Sequence, residues 1–175
     1  MGRTAALVSR TARIPGLSEL RIRPAARAVV LDPDGRILLV RFEFPTQTVW
    51  ATPGGGIENG ESHEDAIRRE LEEETGLVDA QVGPPLWSRL HVIPFIGGQW
   101  DGQQEQYHLV RTPSFTPQPM LPWERLNAEY LFELRWWTLD ELEQADVTFA
   151  PRRLPELVAS LLRDGPPAVT IDVGV

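Results

Sequence analysis

The chain has 175 residues, a formal charge of −8 and no cysteine, and all 17 of its basic residues are arginine. That length suits one domain with its own hydrophobic core; the missing cysteines exclude disulfides, thiolate metal sites and a thiol nucleophile, and the missing lysines exclude an amine nucleophile. The acidic balance argues against bulk nucleic acid as a partner, because phosphate contacts need a basic surface, but leaves room for a small phosphorylated ligand held through a metal.

Residues 1–22 show no clear period and are expected to form a loosely ordered N-terminal arm, the alternatives being an extra strand or a dimer contact. The apolar run from Ala5 to Val8 is too short for a secretory core, and Ala6 breaks the myristoylation pattern. No stretch approaches membrane-spanning length, so a soluble, cytoplasmic protein is expected. Residues 23–175 read as a single domain. Ala26–Val30 and Ile37–Phe42 are β-branched, apolar segments around the turn signal "DPDG", which predicts a hairpin. A third strand, "TVWAT", leads into "GGGIENGES", a predicted glycine-rich loop, and then into a helix. Two further strands are expected in "AQVGPPLWSRLHVIPFI" and "EQYHLVRT", and a long excursion over residues 113–129. "ELRWWTL" reads as a strand, "DELEQA" as a short helix, "PRRLPELVASLLRDG" as a longer helix starting near Pro155, and the tail "AVTIDVGV" has strand character. Strands and helices mix without regular βαβ alternation, which points to an α+β class with a mixed sheet packed by helices.

The helix behind the glycine-rich stretch has clear ends. Ser62 is a candidate N-cap with Asp65 three residues on, Glu64 and Asp65 suit the dipole, and Gly76 is placed as the left-handed residue beyond the last turn. Its "RRELEEETG" segment is the densest negative charge in the chain. At roughly 100° per residue, Glu70, Glu73 and Glu74 share one face while Glu72 points away. Ile67 and Leu71 lie beside that face, which places it at the edge of the core. Three convergent, partly desolvated carboxylates repel, and a divalent cation is the simplest compensation. Oxygen donors without cysteine favour magnesium or manganese, which share their shell with waters and substrate phosphates. The plain alternative is a solvated acidic face with no ligand. The surroundings favour a site: Gly54, Gly55 and Gly56 let backbone approach a ligand, Glu61 sits at the loop–helix junction, and Arg69 can pair with a carboxylate and hold it.

Written out, Gly55 is followed by five residues and Glu61, then seven residues and Arg69–Glu70–Leu71–Glu72–Glu73–Glu74–Thr75–Gly76–Leu77. This resembles the complete signature of the Nudix hydrolase family, with every fixed position filled. "RAVVLDPDGRILLVRF" and "VWATPGGG" upstream also resemble the family's strands; after Leu77 only the broad order of elements does. The resemblance implies an α/β/α sandwich around a mixed sheet and Mg²⁺-dependent hydrolysis of a nucleoside diphosphate linked to another moiety, such as ADP-ribose, a nucleotide sugar or a modified nucleoside triphosphate. It implies Glu70, Glu73 and Glu74 as metal ligands, joined by the Gly55 carbonyl, with Arg69 orienting them and Glu61 supporting the metal or the attacking water. Family members differ in the base, and many use a glutamate outside the signature; Glu70 and Glu105 are the candidates, Glu105 from its position on a downstream strand.

Other residues divide between substrate contact and packing. Trp50 can stack on a base or sit in the core. Arg41 and Arg89 can meet phosphate or ribose or be surface charges. Tyr107 shares a strand face with Glu105 and is expected to border the pocket. Pro94 weakly resembles a proline of the family's ADP-ribose pyrophosphatases. His91 and His108 have no metal-ligand spacing. Trp136 and Trp137, adjacent in a strand, face opposite ways, and exposed aromatics with the extended tail allow a homodimer. Against the active enzyme stands a Nudix-fold nucleotide sensor without catalysis, which has no need of every glutamate.

Overall fold

The computed structural model describes residues 20–93 and 97–174; residues 1–19, most of the expected arm, and Pro94 lie outside them. The predicted hairpin is present as β1 (Ile22–Leu31) and β2 (Ile37–Phe44), antiparallel partners. Asp32 shapes its turn, accepting hydrogen bonds on Oδ1 from the backbone N–H of Asp34 at 3.0 Å and Arg36 at 2.9 Å. β3 (Gln47–Ala51) continues antiparallel to β2. The glycine-rich stretch is not all loop: Gly54–Gly56 forms a short strand, β4, antiparallel to β1 opposite Ala25, Ala26 and Arg27. Small residues on both sides let the two backbones meet there. β4 leads to α1 (His63–Thr75), followed by β5 (Val82–His91) and β6 (Gly102–Arg111), which pair antiparallel with each other. β6 lies parallel to β1, which makes the sheet mixed.

The excursion carries a helix, α2 (Trp123–Ala128), before β7 (Leu131–Trp137) pairs with β2. Then follow α3 (Leu139–Gln144), the two-residue strand β8 (Phe149–Ala150), α4 (Leu154–Asp164) and β9 (Ile171–Asp172). Along the sheet the order is β8-β3-β2-β1-β6-β5-β9, with β4 on β1 and β7 on β2.

The two-residue period of β1 builds two layers. Ala26, Ala28 and Val30 pack with Ile67 and Leu71 of α1 on one face. Val29 and Leu31 pack with Leu157, Val158 and Leu161 of α4 on the other. Helices thus cover both faces of a mixed sheet, an α/β/α sandwich, and each fully buried aliphatic side chain contributes about 1.5–3 kcal/mol. Among the described residues no helix is long and apolar enough to cross a membrane.

α1 is fixed at both ends. Ser62 accepts the Asp65 N–H on its side chain at 3.1 Å, and Gly76 adopts φ 77°. The excursion has a structural task here: the N–H groups of Gln118 and Leu121 donate to the carbonyls of Thr75 and Glu73, at 2.9 and 3.1 Å. Those are last-turn carbonyls with no partner inside the helix. The glutamate face is therefore held at a set angle over β1 and β4.

Candidate active site

α1 and β4 together build the carboxylate side of a cavity of about 770 Å³. Glu70, Glu74, Gly54 and Gly55 all line it. A Cβ at Gly55 would collide with the Glu70 carboxylate, so the missing side chain is what lets Glu70 lie against the backbone. The Gly54 N–H donates to Glu74 Oε2 at 2.9 Å, and Gly54 holds φ 129°, where a Cβ would strike the Ala26 carbonyl. Burial raises the Glu70 carboxyl above its usual range against the pull of Arg69 and Arg27. Burial, and then the neighbouring Glu70 charge, push Glu74 up to about 8, although the Gly54 N–H acts in the opposite direction. These two carboxylates crowd each other in a half-dry space.

Arg69 is the strap. It donates to Glu61 from Nε at 2.8 Å and from Nη2 at 3.0 Å, to Glu70 from Nη1 at 2.9 Å, and to the Gly56 carbonyl from Nη2 at 3.0 Å. Its hydrogen bonds to Glu61 hold that carboxyl below the usual carboxylate range. Glu73, whose side chain is 37% exposed, reaches Arg69 at 3.4 Å and is absent from the cavity lining. Glu72 is exposed. In consequence no three carboxylate or imidazole groups among the described residues stand together at ligand spacing. The donor chemistry still suits a hard dication: a buried and a partly buried carboxyl and a glycine backbone on one wall, with both carboxyls poorly stabilised as neighbours.

The floor opposite is cationic. Glu105 is 1% exposed. Its Oε1 accepts from Arg27 Nε at 2.9 Å and Gln103 Nε2 at 2.7 Å, and its Oε2 from Arg89 Nε at 2.6 Å and the Tyr107 hydroxyl at 2.8 Å. Arg27 and Arg89, with those hydrogen bonds, hold the Glu105 carboxyl below its usual value against its burial. Four donors thus occupy the two oxygens of Glu105, the candidate base that its strand position suggested. Tyr107 borders the cavity as expected, and its phenol is raised by burial and the Glu105 charge.

Two expected contacts lie elsewhere. Trp50 is buried in the core, edge-on to Trp137 with ring centroids 5.0 Å apart, and is not part of the cavity wall. Arg41 turns to Glu133 at 2.8 Å and to Glu43. β3 pairs Trp50 with Arg41 across the ladder, and neither faces the cavity. The aromatic wall comes from other residues. Phe42 and Phe44 stack at 5.8 Å and 10°, and Phe44 meets Tyr130 at 5.4 Å; all three line the cavity. So do Arg23, Arg27 and Glu129. A two-residue period through "RPAAR" and "FEF" carries a sequence signal for Arg23, Arg27, Phe42 and Phe44; Glu129 and Tyr130 follow a helix end that prolines conceal.

A model of the NUDIX domain family matches residues 21–158. Over 157 residues the chain is 30% identical to an RNA pyrophosphohydrolase of Novosphingobium aromaticivorans, covering 83% of this chain and 94% of that one. It is 27% identical over 147 residues to Nudix hydrolase 25 of Arabidopsis thaliana, covering 78% and 83%. The MutT NUDIX hydrolase of Burkholderia pseudomallei superposes with a TM-score of 0.58 at 29% identity, covering 79% of this chain and 98% of that one. The chain belongs to the NUDIX domain family.

Proposed function

We propose that this Nudix hydrolase is a Mg²⁺- or Mn²⁺-dependent pyrophosphohydrolase that cleaves the pyrophosphate linkage of a nucleoside diphosphate carrying a further group. The observation that carries this reading is the pair of crowded carboxyls, Glu74 buried and Glu70 partly buried, seated against the glycine strand in a cavity that Arg27 also lines. Glu70, Glu74 and the Gly55 carbonyl would hold the ion, with Glu73 able to join by leaving Arg69. Bound there, the ion would neutralise phosphate charge and acidify a water. Gly54 fixes Glu74 through its N–H, and Arg69 keeps Glu61 and Glu70 in place so that neither must reorganise during reaction. Arg23 and Arg27 supply positive potential to the phosphate oxygens. A nucleobase would stack against Phe42, Phe44 and Tyr130, which line the cavity.

In the reaction, water adds to one phosphorus and the bridging P–O bond breaks, with the second phosphate leaving on its oxygen. The water's proton needs an accessible carboxylate. Glu129 fits that role better than Glu105: it is exposed, lines the cavity, and its contact with Arg125 is long, at 4.0 Å.

The test is phosphate release from a panel of nucleoside diphosphate derivatives, with and without Mg²⁺, with phosphatase treatment to reveal monophosphate products. Metal-dependent turnover that collapses in Glu70→Gln and Glu74→Gln is expected. Turnover indifferent to both substitutions would overturn the ligand assignment, and tight nucleotide binding with no turnover would make the protein a sensor.

A further inference from the structure

Arg89 is an anomaly in the cavity floor. It is 5% exposed and stands directly across from Glu105 in the β5–β6 ladder. Its Nε is committed to Glu105. Arg27, by comparison, is tied twice, to Glu105 through Nε and to the Gly54 carbonyl through Nη1. The Nη groups of Arg89 have no hydrogen-bond partner among the described residues, yet they are not among the sealed, unpartnered side-chain atoms, which are Thr52 Oγ1 and Trp137 Nε1. They open into the cavity that Arg89 lines. A nearly buried guanidinium with unspent donors is costly unless something anionic meets it. Two arginines against one glutamate leave one formal positive charge in this floor.

Sheet order gives the charge a position along the substrate. β2, β1, β6 and β5 follow one another in the sheet; β2 meets β1 only at Ile37 and Leu31, and at Arg27 the neighbour of β1 is β4, so the aromatic end of β2 and β5 stand on opposite sides of β1. Phe42 and Phe44 are on β2, Arg27 is on β1 beside Gly54 of β4, and Arg89 is on β5. A ring stacked on β2 therefore directs its phosphates over β1 and β4, and whatever follows them ends over β5. We infer that Arg89, presented by Glu105, is a specificity residue that receives a terminal phosphoryl group, so that the enzyme prefers triphosphate-ended substrates to diphosphates joined to a neutral sugar. A neutral distal sugar would leave the Arg89 donors unpaired, and sites built around a polar group reject ligands lacking it.

This inference rests on the hydrolase reading, and the experiment separates the two. Steady-state kinetics with Mg²⁺ would compare a nucleoside triphosphate with a nucleoside diphosphate hexose, for wild type, Arg89→Ala and Arg89→Lys. Calorimetry would follow binding of inorganic tripolyphosphate to the same proteins, with thermal denaturation as the check on folding. The expected result is a loss of about 10²-fold in kcat/KM on the triphosphate in Arg89→Ala, carried mainly by KM, as for a lost charge-assisted contact. The hexose substrate should change by less than about threefold, and Arg89→Lys should recover part of the loss because it restores the charge without the planar fork. Equal losses on both substrates, in Arg89→Lys as in Arg89→Ala, would overturn the inference and leave the hydrolase standing. Tripolyphosphate binding that depends on Arg89 in a protein that hydrolyses nothing would support the subsite while refuting the hydrolase reading.

Discussion

One cavity holds two carboxylate environments with opposite charge balances. Around Glu105, two guanidinium groups, an amide and a phenol converge on a single carboxylate, and the cationic surplus keeps it ionised. Around Glu70 and Glu74, two carboxylates meet with Arg69 on one side and a single backbone N–H on the other, and Glu74 is pushed up to about 8. The difference shows that burial alone does not define a catalytic carboxylate. A buried acid whose donors are all supplied by the protein is a positioning element. A crowded pair short of positive charge is where the proposed dication would be stabilised.

The comparison breaks most visibly on substitution of the second set. Glu70→Gln or Glu74→Gln should lower kcat/KM by about 10²–10³-fold or more, the range seen on removing a single transition-state electrostatic contact, with near-ultraviolet circular dichroism unchanged. Glu73→Gln should lose less, because that side chain is 37% exposed and turned to Arg69. In the first set the damage should be to the fold. Glu105→Ala leaves two buried guanidinium groups without their counter-charge and should cost about 3–5 kcal/mol in urea denaturation, whereas Glu105→Gln retains the acceptor for some of the donors and should cost less.

The two sets should also separate by pH. Glu74 rises from 4.5 to about 8 on folding, so between those values the folded chain holds the additional proton. Its contribution to stability is full below about 4.5 and is lost as pH rises through about 8. The melting temperature of metal-free protein should therefore fall across that window, and Glu74→Gln should flatten the decline. Glu105 and Glu61 have lowered values and act with the opposite sign: their contribution is present above the ordinary carboxylate range and lost as pH falls through their lowered values. The smallest effects concern the aromatics. Phe44→Ala should raise KM by about 2- to 10-fold if a base stacks there, while Trp50→Phe should leave KM within about twofold and lower stability by about 1–3 kcal/mol through lost packing.

Local chemistry made α1 legible in the sequence. Ser62, Gly76 and the spacing of Glu70, Glu73 and Glu74 act within one helix, and every one of those signals lies within a few residues of its effect. The hairpin at Asp32–Gly35 was readable for the same reason. Gly54–Gly56 was misread as loop because glycine signals flexibility, whereas its strand pairing depends on Ala25 and Ala26, about thirty residues earlier in the chain. Glu105 and Arg89 were ambiguous because their meaning lies across the β5–β6 ladder. Trp50 was ambiguous between stacking and core because its packing against Trp137 and Phe149 depends on strands far along the chain. β8, two residues long, exists only by pairing at a sheet edge and carries no period of its own, whereas β9 lies in the tail whose strand character was readable.

The most direct measurement is proton release on metal binding. Calorimetric titration of Mn²⁺ into the protein at pH 7, repeated in buffers of different ionisation enthalpy, counts the protons displaced. The Glu70–Glu74 pair, with Glu74 at about 8, should release close to one proton per ion bound, and Glu74→Gln should abolish the release and weaken binding. Mn²⁺ binding without proton release, or binding that Glu74→Gln leaves unchanged, would contradict the account.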